Sequence, residues 1–193
     1  MISKLNLEAY PKMLTLRDGT QVEVRPLEVG DNVRLLNFFK QIGGQDLWYL
    51  KDDVTNPEVI QDWTVNINFD RVIPIEAVVG DEIVADATLH RSQVFARRHV
   101  GELRIVVDPG YRRRGLGRLL IRELVDIAIG LELYKVTFEL VPEREEAAIR
   151  AAETMGFSKV ATLEGRLRDS EGGYDDLMVL EMSLSDRETW WRY

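Results

Sequence analysis

A strand, a glycine-rich turn and a long helix follow one another near the middle of the chain, and this segment constrains the fold more than any other. Leu103, Ile105 and Val107 alternate with their neighbours, as in a half-buried β-strand. From Leu116 to Leu131 the apolar residues recur at helical spacing, which predicts a long amphipathic helix. The segment therefore predicts a sheet strand that leads directly into the start of a helix.

The turn between this strand and this helix has the composition of an anion site. Gly115 and Gly117 lie where the helix begins, and the first backbone N–H groups of a helix have no partner within it. These donors and the positive end of the helix dipole attract phosphate, which glycine allows to approach the backbone. The turn also carries four arginines, which are Arg112, Arg113, Arg114 and Arg118. The alternative is a solvated basic helix start in which the glycines serve close packing.

Two other phosphate-binding motifs do not fit this turn. A Walker A loop requires Gly-Lys-Ser/Thr, which the segment lacks. A dinucleotide fingerprint requires a third glycine, and Leu120 stands in its place.

The remaining periodicity predicts an α+β domain with a mixed sheet over residues 16–185. An arm of residues 1–15 precedes it, and an aromatic tail of residues 186–193 follows, which we expect to pack on the domain or on a second subunit, so that a homodimer is possible. Further strands are predicted near residues 20–25, 73–79, 83–90, 135–140, 158–167 and 174–184. Further helices are predicted from Asp31 through Phe39, after Asn56-Pro57 and over 143–155.

Composition excludes several classes of protein. The 193 residues contain no cysteine, which excludes a disulfide scaffold, a thiolate metal site and a cysteine nucleophile. A net charge of −8 argues against nucleic acid as a partner, and two histidines argue against a histidine-rich metal site. No apolar stretch is long enough to span a membrane, and the N-terminus lacks the apolar core of a signal peptide. We expect a soluble, cytoplasmic domain.

The pattern Arg112-x-x-Gly115-x-Gly117 after a strand resembles motif A of the GNAT superfamily of acyl-CoA N-acyltransferases. The similarity extends over most of the chain, from the strand that begins at Val22 to Leu184. The resemblance implies a three-layer αβα fold. Its central sheet is mixed and mostly antiparallel, splayed between the fourth and fifth strands, and flanked by about four helices.

The resemblance also implies acetyl-CoA, or another acyl-CoA, as cosubstrate without a metal. The pyrophosphate would lie on the turn, formed by Arg112, Arg113, Arg114, Gly115, Leu116, Gly117 and Arg118. The pantetheine arm would bond to the strand residues Ile105, Val106 and Val107. A backbone N–H near Val106 or Val107 would polarise the thioester carbonyl.

Such an enzyme would move an acetyl group to a primary amine by direct attack in a ternary complex. An amine with a pKa near 10.4 is neutral in only about one molecule in 2,500 at pH 7, so a base is required. Glu102, on the strand that leads into the motif, is our first candidate, and its alternative role is an ion pair with Arg104 or Arg98. His90 is the second candidate, because its ordinary pKa suits proton transfer.

The general acid is where the chain departs from the family pattern. Ala152 occupies the position where the family often has a tyrosine, and Glu145 occupies that of an asparagine. Tyr174, at the start of the last strand, is a candidate replacement, and water is another. The missing tyrosine leaves open an alternative function, a catalytically weak or inactive acyl-CoA-binding sensor.

The acceptor is expected to be a small-molecule amine or a protein amine. Acidic residues near the expected entrance hint at a cationic acceptor, with a solvated acidic surface as the alternative. They are Asp46, Asp52, Asp53, Asp62 and Asp70.

Overall fold

An eight-stranded sheet forms the centre of the molecule in a computed structural model that describes residues 7–185. The strands are β1 (Lys12–Thr15), β2 (Gln21–Pro26), β3 (Val72–Val79), β4 (Glu82–Arg91), β5 (Val100–Val107), β6 (Lys135–Leu140), β7 (Ser158–Arg168) and β8 (Tyr174–Ser183). They lie in the order β1-β2-β3-β4-β5-β6-β8-β7. Neighbouring strands are antiparallel except for β5 and β6, which run parallel.

Helices cover both faces of this sheet, so the predicted three-layer α+β architecture is confirmed. The helices are α1 (Asn32–Gln41), α2 (Gly44–Leu47), α3 (Pro57–Val65), α4 (Leu116–Gly130) and α5 (Glu146–Thr154). One core lies between the sheet and α4 and α5, and a smaller one lies under α1 and α3. Across residues 7–185, no helix has the length and apolar character needed to cross a membrane.

The helix ends follow the local sequence. Asn56 accepts a hydrogen bond from the Glu58 backbone N–H at 2.9 Å and caps α3, whose first residue is Pro57. Asp31 stands at the predicted start of α1 but does not cap it. Its buried carboxylate instead receives two hydrogen bonds from Arg25, at 2.6 and 2.8 Å.

The segment expected as an arm contributes a strand that the sequence analysis did not predict. Residues 12–15 form β1 at the edge of the sheet, paired with residues 21–24 of β2. The hairpin turns at Gly19, which has φ 88°, a left-handed conformation that favours glycine. The expected boundary at residue 16 thus falls inside a hairpin. The aromatic tail, residues 186–193, lies outside the described residues.

The sheet opens between β5 and β6, which are the fourth and fifth of the predicted strands. Their register contains four pairs, from Val100↔Lys135 to Leu103↔Phe138. Beyond Leu103, β5 continues to Val107 without pairing to β6. The sheet therefore has a slot in its middle, and β5 leads from this slot to α4.

Candidate active site

A cavity of about 850 Å³ occupies the slot between the parted strands. One wall is formed by residues 102–107 of β5, and the opposite wall by residues 138–141 at the end of β6. The start of α4 and one side of α5 also line the cavity. The segment around α2 contributes further lining residues, which are Gln45, Asp46, Tyr49, Leu50 and Lys51. Cationic side chains outnumber acidic ones among the lining residues, although the whole chain is net negative. The cavity thus suits an elongated ligand with several negative charges.

The turn before α4 presents its backbone to this cavity. Arg113 has φ 60° and Gly115 has φ 93°, so two residues of the turn are left-handed, and one of them is not glycine. The first intrahelical bond runs from the Leu119 N–H to the Gly115 carbonyl at 3.1 Å, which leaves the preceding N–H groups of α4 without helical partners. A Cβ added at Gly117 would meet nothing within 4 Å. The turn therefore offers donors over open space.

Most of the residues predicted to bind the cofactor line the cavity. They are Ile105, Val106, Val107, Arg112, Arg113, Gly115, Gly117 and Arg118. Two predicted residues do not line it. The Leu116 side chain is buried in the core, so only its backbone can face a ligand. Arg114 pairs with Asp18 at 3.1 Å and lines a neighbouring pocket.

Arg112 connects the turn before α4 to α2. Its Nε donates to the Val107 carbonyl at 2.9 Å, and a terminal nitrogen donates to the Asp46 carboxylate at 2.7 Å. Asp46 is the only one of the five acidic residues near the expected entrance that lines this cavity in the described part of the chain. Because Asp46 is already paired with the Arg112 guanidinium, its carboxylate does not favour a cationic acceptor.

Glu102 lies on the cavity wall between two cations. Lys51 Nζ and Arg104 Nε both donate to its Oε1, at 3.0 and 2.8 Å. Burial alone would raise the pKa of Glu102, but the two cations outweigh burial and lower it. The ion pair with Arg104 that sequence reasoning kept as the alternative is therefore present, together with a lysine it did not anticipate.

His90 lies opposite Glu102 in the β4–β5 register but is not among the residues that line the cavity. Its Nε2 lies 3.0 Å from the Thr88 hydroxyl oxygen. Burial, followed by the charge of Arg104, lowers the pKa of His90 to about 4. His90 was a candidate base because of the ordinary histidine pKa, and in this environment its pKa is well below that value.

A tyrosine other than Tyr174 faces the cavity. Tyr174 is 73% exposed and is not among the lining residues, whereas Tyr49 is among them. The Tyr49 hydroxyl donates to the Asp175 carboxylate, which also accepts from Arg144 at 3.2 Å. Burial, and then the contact with Asp175, raises the pKa of Tyr49 and keeps its phenol protonated.

The two helix positions that depart from the family pattern also differ in their surroundings. Ala152 is completely buried and is not among the residues that line the cavity. Glu145 lines the cavity and accepts a hydrogen bond from the Val141 N–H at 2.6 Å. Burial raises the pKa of Glu145.

Sequence reasoning missed the residues that reach the cavity from distant segments. Arg17 comes from the β1–β2 hairpin, and its backbone N–H donates to the Arg114 carbonyl at 3.0 Å, which ties that hairpin to the turn. Tyr49 and Lys51 come from the segment after α2. No local motif marks these three positions, because their role depends on tertiary placement.

Among residues 7–185, no group of three or more histidine, cysteine, aspartate or glutamate side chains is arranged to hold a metal ion.

Comparison with known sequences identifies a family. The sequence model of the acetyltransferase (GNAT) family matches residues 32–157, more than half of the chain. The ribosomal protein bS18-alanine N-acetyltransferase of Salmonella typhimurium is 32% identical over 81 residues, or 42% of this chain. The match covers 53% of that relative, so the chain spans about half the length of the curated relatives it matches.

Solved structures share the fold at low sequence identity. A GNAT-family acetyltransferase from Streptococcus pneumoniae has a TM-score of 0.73 at 20% identity, covering 84% of this chain and 99% of its own. The Salmonella typhimurium protein yncA, solved with its cofactor acetyl-CoA, has a TM-score of 0.71 at 17% identity, covering 84% of this chain and 94% of its own.

Proposed function

The chain belongs to the GNAT family of acetyltransferases, and from that premise we propose that it transfers an acetyl group from acetyl-CoA to a primary amine within a ternary complex. The observation that carries the proposal is the parting of β5 from β6 after Leu103. It leaves an unpaired strand edge beside a cavity that ends at the start of α4. An amide-containing arm with a polyphosphate at one end has the matching chemistry.

The residues of the turn fit the donor substrate. The N–H groups at the start of α4 would hold the pyrophosphate, with charge supplied by Arg17, Arg113 and Arg118. Arg112 would exchange its contact with Asp46 for the phosphate while its Nε stays on the Val107 carbonyl. The free edge of β5 at residues 105–107 would bond to the arm and lead the thioester toward Glu102.

Glu102 is our candidate for the group that receives the proton of the amine. Its pKa is lowered by Arg104 and Lys51, so the carboxylate is ionised at neutral pH and accepts a proton directly or through water. For the departing thiolate we propose Tyr49, not Tyr174, as hydrogen-bond donor, because Tyr49 lines the cavity. In the absence of cysteine, acetyl transfer proceeds without a cysteinyl intermediate.

The acceptor class remains broad. Relatives carry names that specify the alanine of a ribosomal protein and spermidine as acceptors of those proteins. An acceptor panel should therefore contain a peptide with an N-terminal alanine, a polyamine and free amino acids. The cytoplasmic location and the homodimer stay predictions.

The test is thiol release from acetyl-CoA across this panel, with Glu102→Gln as the variant. We expect amine-dependent release, CoA binding retained in the variant, and turnover reduced by about 100-fold, the usual size of a general-base contribution. Glu139→Gln is the matched control, since Glu139 lies on the opposite wall. Release that is unaffected by Glu102→Gln would remove Glu102 from the mechanism.

Two observations favour an acyl-CoA sensor as the second candidate. Glu102 already has two cationic partners, and the side chain at position 152 is a buried alanine. A sensor would bind CoA tightly and release no thiol with any amine of the panel. Isothermal calorimetry with CoA, run beside the thiol assay, separates the two functions.

A further inference from the structure

The side-chain amine of Lys51 is in direct contact with Glu102, the candidate base. Lys51 Nζ donates to Glu102 Oε1 at 3.0 Å, and both side chains line the cavity. The Lys51 side chain is 56% exposed, so it is not locked into the core. Among the lining residues within the described range 7–185, Lys51 is the only lysine. Its amine has the same chemistry as the acceptor that the proposed function requires.

Lys51 also stands at the end of the slot where the acyl group would arrive. The last paired residues of β5 and β6 are Leu103 and Phe138, so the slot closes next to Glu102. A strand advances about 3.3 Å per residue, so Val107 and Glu102 are about 16 Å apart along β5. An arm held at the α4 end that follows β5 therefore leads toward Glu102 and Lys51.

The two oxygens of Glu102 are used unequally. Lys51 and Arg104 both contact Oε1, and within residues 7–185 no hydrogen bond is made to Oε2. Glu102 therefore has a free oxygen with which to accept a proton from the amine beside it. The other lysines with carboxylate partners in the described residues, Lys12 on Glu123 and Lys135 on Glu181, lie outside this cavity.

We propose that Lys51 occupies the acceptor position and is acetylated by the protein's own active site when acetyl-CoA is present without an external amine. This inference rests on the proposed function. Glu102 takes a proton from the Lys51 ammonium, and the Lys51 Nζ lone pair forms a bond to the thioester carbonyl carbon. The carbon–sulfur bond then breaks, sulfur keeps the electron pair, and the thiolate takes up the second proton, which the nitrogen loses as the amide forms. Glu102 afterwards releases its own proton to water. The products are Nε-acetyl-Lys51 and CoA.

The experiment incubates the full chain with acetyl-CoA alone and measures the acetylation of each lysine by peptide mass spectrometry over time. Because proximity to a bound acyl donor accelerates transfer, we expect Lys51 to react at least about tenfold faster than exposed Lys159. The rate constant for Lys51 should not change when the protein is diluted, since the reaction is intramolecular. Glu102→Gln should slow Lys51 and leave Lys40 and Lys159 unchanged.

Lys51 acetylation no faster than that of Lys159 would overturn the inference, and thiol release with external amines would then show that the proposed function still stands. A Lys51 rate that rises with protein concentration would also overturn it. Failure of both Lys51 acetylation and amine-dependent thiol release would overturn the proposed function as well. An external acceptor amine should slow Lys51 acetylation, because both compete for the same position.

Discussion

Replacing His90 with glutamine should remove one component of the acid sensitivity of folding. His90 is held neutral in the native state by burial and by the positive charge of Arg104, with Lys51 adding to the effect. Unfolding exposes the ring and restores a pKa of about 6.5. A histidine with a lowered native pKa contributes stability above pH 6.5, and this contribution is lost as pH falls toward 4.

The size of the effect follows from the shift. A pKa that falls from 6.5 to about 4 corresponds to about 3 kcal/mol between the fully neutral and fully protonated limits. At pH 5 the unfolded state binds its proton almost completely while the native state does not, and the loss is about 2 kcal/mol. Above pH 7.5 neither state binds the proton, so the loss is zero.

Urea unfolding at pH 7.5, 6 and 5 measures this loss in the wild type and in His90→Gln. The wild type should lose about 2 kcal/mol more than the variant between pH 7.5 and 5. His99→Gln, in an exposed loop, controls for the loss of a histidine as such. Parallel pH profiles for the wild type and His90→Gln would refute the reasoning, because they would mean that burial does not hold His90 neutral.

Three further substitutions test separate parts of the structure. Gly117→Ala adds a methyl group where the structure is open, so it should stabilise the helix by up to about 1 kcal/mol yet weaken CoA binding, measured by denaturation and calorimetry. Asp31→Ala removes the buried carboxylate that pairs with Arg25 at 2.6 Å, leaves only the more exposed Glu23 at 3.4 Å, and should cost about 3 kcal/mol in urea unfolding. Gly101→Ala brings a Cβ within 2.6 Å of Leu89 and should cost about 1–3 kcal/mol, seen as a lower Tm.

The strand, turn and helix from Leu103 to Leu131 were predictable because their determinants are local. The alternation that ends at Val107, the two glycines Gly115 and Gly117 and the apolar spacing of α4 lie within one continuous segment. The order of strands and helices followed for the same reason. Strand β1 was missed because four residues are too few to show a clear alternation. Its extended conformation is stabilised by pairing with β2.

The presence of Tyr49 and Lys51 in the cavity lining was not predictable, because tertiary contacts place these residues there. Tyr49 reaches Asp175, and Lys51 reaches Glu102 across 51 positions of sequence. The preference for Tyr174 rested on its position in the chain, and the structure places it exposed at the end of a hairpin. The pKa of His90 likewise depends on burial by neighbours that no local pattern shows.

The short ladder between β5 and β6 has a mechanical consequence. Four residue pairs join the five strands on the β5 side of the sheet to the three strands on the β6 side. The rest of the β5–β6 boundary is unpaired. A ligand whose amides form hydrogen bonds to the backbone of residues 105–107 would act as a removable strand between β5 and β6 and would hold the two parts of the sheet together. Binding of the ligand should reduce the motion between β5 and β6, and amide hydrogen exchange should slow in both strands. The substrate would then be, while bound, a structural part of the sheet that acts on it.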